Sequence, residues 1–227
     1  EAAIMFIPLV TSLIYGEKCF LAFLITIFVA LVLGFALTLI NKSRDKTFFA
    51  KEGFVIVALS WVLLSAVGAL PFVISGEIPN FIDAFFETVS GFTTTGATIL
   101  SNVEGLSKGI AMWRSLTHWV GGMGILVLVV AILPTDSGRS IHIIRAEMPG
   151  HSVGKLTPKL RVMTKQLYLI YIVLTATEVV FLLFGGMPLF DSLVHSFGTA
   201  GTGGFGIKND SIASYSPYLQ WVITVFM

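Results

Sequence analysis

Charge is what this sequence has least of: only 12% of its 227 residues are Asp, Glu, Lys or Arg, against about a quarter in an ordinary soluble domain. A chain with so few charges, 55% hydrophobic residues and a mean hydropathy of +0.89 is not built to face water. Cysteine is nearly missing too. The single Cys19 excludes an internal disulfide framework and a cysteine-based metal cluster, and reads as a small apolar residue at a helix start. A net charge of +1 implies no general attraction to nucleic acid. Alternating ten-residue segments are missing, which excludes a membrane β-barrel. No basic stretch precedes the first apolar run, so no secretory signal is expected.

What is present is a series of long apolar segments. Residues 2–15, 19–40, 53–75, 109–133, 166–186 and 217–227 stand out, and several reach the roughly 20 residues that carry a helix across a bilayer. The expectation is an all-α polytopic membrane protein. The first and last runs are too short to span, which suggests an internal piece of a longer protein. Ten of the fourteen Lys and Arg residues lie in two loops. Lys42, Arg44, Lys46 and Lys51 occupy the first; Arg139, Arg145, Lys155, Lys159, Arg161 and Lys165 occupy the second. By the positive-inside rule these loops are cytoplasmic, and Glu77, Glu104 and Asp210 face outside.

Two segments break the apolar pattern in the same way. "FIDAFFETVSGFTTTGAT" (81–98) and "LFDSLVHSFGTAGTGGFG" (189–206) align at a constant offset of 108 residues, matching Asp83 to Asp191, Thr94 to Thr202 and Gly96 to Gly204. Each lies between long apolar runs, so the chain repeats a unit of helix, short helix, Gly/Thr loop, helix. The first short helix, opening at Pro79, is about twelve residues or roughly 18 Å long, half a bilayer. The loop after it must then lie near the midplane, where irregular backbone survives only inside protein or beside a watery cavity. A helix C-terminus aimed at the midplane favours a cation. Backbone carbonyls of an uncharged loop can replace an ion's hydration shell, and glycine supplies the angles that turn them to one axis. Oxygen ligands without a carboxylate suit a monovalent cation.

Other polar residues have simpler readings. Asp83 and Asp191 fit helix N-terminal capping better than cation attraction in a vestibule. Glu87 is a vestibule or filter-support candidate. Arg114 needs a partner in the membrane, with Glu87 and Glu178 as candidates, and its role is bracing. His118 and His195 lack metal-ligand company and read as structural. "GGMG" (121–124) is expected mid-helix, allowing close packing beside the loop. An intramembrane enzyme using His118, Glu178 and Asp83 would need a nucleophile or metal constellation that the sequence does not offer. A pure scaffold leaves the matched loops unexplained. The chain therefore reads as a non-enzyme with no cofactor.

"FETVSGFTTTGATIL", "HWVGGMGILVLVVAILP" and "GTAGTGGFG" closely resemble the TrkH branch of the Trk/Ktr/HKT superfamily of potassium transporters. The resemblance implies M1–P–M2 repeats, each a helix, a re-entrant pore helix with filter loop, and a second helix, as in potassium channels. On that pattern 1–47 is an N-terminal helix pair and cytoplasmic loop, 48–136 the first repeat, 137–165 a cytoplasmic linker, and 166–227 an incomplete second repeat. The filter falls on Thr94, Thr95, Gly96, Thr202, Gly203 and Gly204, flanked by Thr93, Ala97, Gly201 and Phe205, with potassium held by backbone carbonyls. Sodium-admitting relatives commonly carry serine at the first filter glycine, so Gly96 implies potassium preference over the alternative, a sodium-permeable or sodium-coupled relative. The resemblance further implies potassium uptake across the cell inner membrane, by channel or symport. It also implies a homodimer and a cytosolic nucleotide-binding regulatory subunit of the TrkA type.

Overall fold

The computed structural model describes residues 1–40, 50–124 and 157–227. Most of the basic loops, and the second half of the helix expected over 109–133, lie outside the described residues. Within them the chain is helical: α1 (Ala2–Ile14), α2 (Phe20–Ile40), α3 (Ala50–Gly68), α4 (Leu70–Ser75), α5 (Phe81–Phe92), α6 (Lys108–Gly122), α7 (Thr157–Phe184), α8 (Leu189–Ala200) and α9 (Pro217–Phe226). Among the described residues, three segments are long and apolar enough to cross a membrane: Phe20–Leu39, Val55–Ser75 and Thr164–Phe184. Their apolar residues mostly face outward, as with Phe28, Phe35, Leu59 and Leu169. An apolar exterior of this kind suits a lipid surrounding, where intrahelical bonds satisfy the backbone.

The core forms around α6, which packs on α1, α5 and α8. Ile110, Trp113 and Leu116 on α6 are almost fully buried, as are Phe23 and Phe72 around them. The start of α6 is held by residues distant in sequence. Its first free N–H groups, on Lys108 and Gly109, donate to the Glu17 carboxylate at 2.7 and 2.9 Å, while Ser107 donates its N–H and hydroxyl to Glu77. Burial pushes the Glu77 carboxyl above the usual range, against the two Ser107 bonds that hold it ionised. Glu17→Ala should remove this cap and lower thermal stability by about 1 kcal/mol; calorimetry on the detergent-solubilised protein checks it.

Several elements differ from the sequence expectations. The run expected as one helix over 53–75 divides at Ala69. Pro71 has no N–H to give and its ring crowds the preceding turn, and the indole of Trp113 donates to the Gly68 carbonyl at 2.9 Å. Pro79 does not open α5: the helix starts at Phe81, and Asn80 caps it by accepting from the Ile82 N–H at 2.9 Å. Asp83 and Asp191 therefore do not cap; both sit in the first turn, where a carboxylate complements the helix dipole. Gly121–Gly124 is not mid-helix either. Helix α6 ends at Gly122 and Gly124 turns left-handed at φ 66°.

Candidate functional site

The two short helices end in the same backbone geometry. Both are 12 residues long, and each passes into a loop whose second residue, Thr94 or Thr202, has φ of 54° or 53°. Two residues later Gly96 and Gly204 have φ of 73° and 80°. The turn bonds repeat as well. The Thr94 and Thr202 N–H groups donate to Gly91 and Thr199 at 3.0 and 2.8 Å, and Thr95 and Gly203 donate to Ser90 and Gly198, both at 2.9 Å. Left-handed threonine costs about 1–3 kcal/mol and persists only where its surroundings impose it. Finding it twice, 108 residues apart, marks a geometry that both loops are built to hold.

The loops touch each other. A methyl group on Gly96 would collide with the Gly203 carbonyl, so the two backbones meet with no room for a side chain. Thr93, Thr95, Thr202 and Gly204 are exposed on the open side; Gly201 and Phe205 are buried behind. The Thr93 and Thr95 hydroxyls pair at 2.8 Å on that open side. Outside the loops a cavity of ≈ 160 Å³ is lined by Gly96, Thr98, Arg114, Gly204, Gly206 and Lys208. Behind them, the end of α6 packs on loop backbone without side chains between: Gly121 against the Phe92 carbonyl, Gly122 against Gly201. The expectation of close packing at "GGMG" thus holds, though at a helix end.

Arg114 joins the two units. Its Nε donates to Glu87, its Nη1 donates to the Gly206 carbonyl at 3.2 Å, and its guanidinium lies over the Phe205 ring at 3.6 Å. Glu87, 1% exposed, also accepts from the Thr98 hydroxyl at 2.8 Å and the Ile99 N–H at 3.2 Å. One ion pair therefore fixes the strands that leave both loops. Of the two partners open to Arg114 the fold selects Glu87.

The two units differ in how they brace that strand. Ser90 donates to the Ala97 carbonyl at 2.6 Å; its counterpart Gly198 instead lets the matching Phe205 carbonyl pack directly on α8. Glu87 is matched by His195, whose Nε2 lies 3.2 Å from the Tyr215 hydroxyl and whose ring abuts Gly206. His118 stacks on Phe205 at 3.8 Å, and its Nδ1 accepts from the Phe205 N–H at 3.4 Å. No group of three or more metal-ligating side chains occurs among the described residues. Asp191 feels Lys108 and Lys208, whereas Asp83 is half-buried on the first helical turn.

Asn209, which sequence reasoning missed, latches the outer loops together. Its side chain accepts from the Val103 N–H at 2.8 Å and donates to Asn102 at 3.0 Å, and its N–H donates to Glu104 at 3.1 Å. Nothing local marks it, because all its partners lie more than 100 residues away.

Comparison with known proteins decides the family. The family model for TrkH, described as a cation transport protein, matches residues 20–227. The chain belongs to the TrkH family. It is 43% identical over 227 residues to the Trk system potassium uptake protein TrkH of Salmonella typhimurium, covering 98% of this chain and 47% of that protein. The TrkG protein of the same system in Escherichia coli is 36% identical over 214 residues, 93% of this chain and 44% of its own length. The crystal structure of the potassium transporter TrkH from Vibrio parahaemolyticus superposes with a TM-score of 0.81 at 34% identity, over 99% of this chain and 45% of that one. The chain thus spans about half the length of these TrkH-family relatives. It is an all-α membrane protein of the same fold.

Proposed function

We propose that this chain supplies half of the wall of a potassium-selective uptake pore. The observation that carries the reading is the pair of loops at 93–97 and 201–205, identical in backbone hand at matched residues and in contact at Gly96 and Gly203. Left-handed residues at 94, 96, 202 and 204 break the pleat that would send successive carbonyls to opposite sides. Carbonyls of Thr94, Thr95, Gly96, Thr202, Gly203 and Gly204 then serve as the ion's oxygen ligands. Glu87 and Arg114 hold the strands, and the polar cavity outside is the entrance. The names of the relatives favour potassium over sodium.

In this reading 48–136 and 166–227 are the two M1–P–M2 repeats, 1–47 the preceding helix pair with its loop, and 137–165 the cytoplasmic linker. The remaining half of the ring comes from further repeats of the complete transporter. The protein sits in the cell inner membrane as a homodimer, with a cytosolic nucleotide-binding subunit of the TrkA type on the basic side.

The test is Gly96→Ser in the complete transporter. A side chain there forces the loops apart. Competition of sodium against rubidium uptake should strengthen at least about tenfold, the effect of ~1.4 kcal/mol of differential binding. Unchanged competition at normal protein abundance would refute the assignment of the loop.

A further inference from the structure

The two Gly/Thr units repeat at an offset of 108 residues, yet they differ where they open onto the cavity outside the loops. Leu100 and Lys208 hold matching positions, and both line that cavity. One unit therefore presents an apolar side chain at the mouth and the other an ammonium. Arg114 lines the cavity as well, but its charge is matched by the buried Glu87 carboxylate. Among the described residues, none that lines the cavity is acidic.

Lys208 is tethered in place. Its Nζ donates to the Ser214 hydroxyl at 2.7 Å and lies 4.2 Å from the centre of the Tyr215 ring, a cation–π contact. The Ser214 hydroxyl in turn donates to Asp210 at 3.3 Å. Tyr215 is itself fixed from two sides. Its hydroxyl lies 3.2 Å from His195 Nε2 on α8, with the rings edge to face, and its carbonyl accepts from Gln220 on α9 at 2.9 Å. Among the described residues Lys208 forms no ion pair. The outer-loop carboxylates Glu104 and Asp210 do not line the cavity; they accept from the Asn209 N–H and from Ser214. Seen from inside the cavity, the uncompensated charge is positive.

We propose that Lys208 is a specificity-determining residue of the entrance, a fixed positive charge that selects against divalent cations. The inference rests on the pore reading, in which this cavity leads to the loops. Carbonyl dipoles alone attract a divalent ion more strongly than a monovalent one, because the attraction grows with the ion's charge. Repulsion from a fixed cation grows in the same way and so offsets that preference. Across a small water-filled cavity a unit charge lowers the occupancy of a monovalent cation about two- to threefold. For a divalent cation the factor is the square, about five- to tenfold. The tether to Ser214 and Tyr215 holds the ammonium at the rim, where it repels without filling the mouth.

Rubidium uptake by the complete transporter, with barium as the divalent inhibitor, tests the assignment. At low ionic strength Lys208→Gln should lower the KM for rubidium about two- to threefold and leave the maximal rate unchanged. The barium inhibition constant should fall by about the square of that factor. Lys208→Arg, which keeps the charge, should behave as wild type. In about 1 M choline chloride, where screening acts within about 3 Å, the variants should converge. Equal changes for the two ions, changes that persist in high salt, or an arginine variant resembling the glutamine one would overturn the proposal, since each marks a loss of shape and not of charge. If Gly96→Ser alters sodium competition while Lys208→Gln leaves both constants at their wild-type values, Lys208 is a loop support and only this inference falls. If neither substitution has an effect, the pore reading falls with it.

Discussion

Arg114→Met is expected to abolish selective uptake and to destabilise the protein by about 3–5 kcal/mol, the cost of leaving one member of a buried ion pair alone. Glu87 would remain at 1% exposure with only the Thr98 hydroxyl and the Ile99 N–H around it. The Gly206 carbonyl would lose its donor and Phe205 its cation. A second substitution separates stability from positioning. Arg114→Met combined with Glu87→Leu removes both charges, so most of the stability should return. Selectivity should not, because the tie from Glu87 through Arg114 to Gly206 that links the two segments leaving the loops is then gone. Thermal unfolding in detergent and sodium competition against rubidium uptake measure the two effects. A single variant as stable as wild type, or a double variant with normal selectivity, would contradict the bracing role.

Gly203→Ala should be nearly as damaging, although it adds one methyl group. That group would be driven into the His118 imidazole. The ring cannot retreat, being fully buried and stacked on Phe205 at 3.8 Å. Forced overpacking of this kind costs about 1–3 kcal/mol, and here the displacement falls on the loop itself. Uptake should fall steeply, and His118→Ala in the same protein should restore part of it by opening the space. Failure of that rescue, with His118→Ala alone folded, would show that the glycine is required for its backbone and not for the contact.

The sequence showed a good deal of this. Apolar run lengths located α2, the α3–α4 segment and α7 to within a few residues at most ends, because the lipid-facing requirement acts on every residue of a span. The 108-residue offset paired the loops before any coordinates, and the φ values at Thr94, Thr202, Gly96 and Gly204 agree position by position. Local misreadings came where two residues could do one job. Asn80 caps α5 in place of Asp83 because its side chain reaches the Ile82 N–H from outside the helix. Pro71, overlooked within an apolar run, divides α3 from α4 because hydropathy does not register a missing N–H.

By itself, then, the sequence determined that the chain lives in a membrane, that it repeats one unit, and which loops carry the irregular backbone. These follow from composition and periodicity, which each segment carries alone. Tertiary structure decided everything that depends on partners far apart in the chain. It gave Arg114 to Glu87 and Gly206, latched the outer loops through Asn209, and capped α6 with Glu17. A buried polar group must be satisfied by whatever the fold brings within about 3 Å, and that neighbour has no fixed place in the sequence.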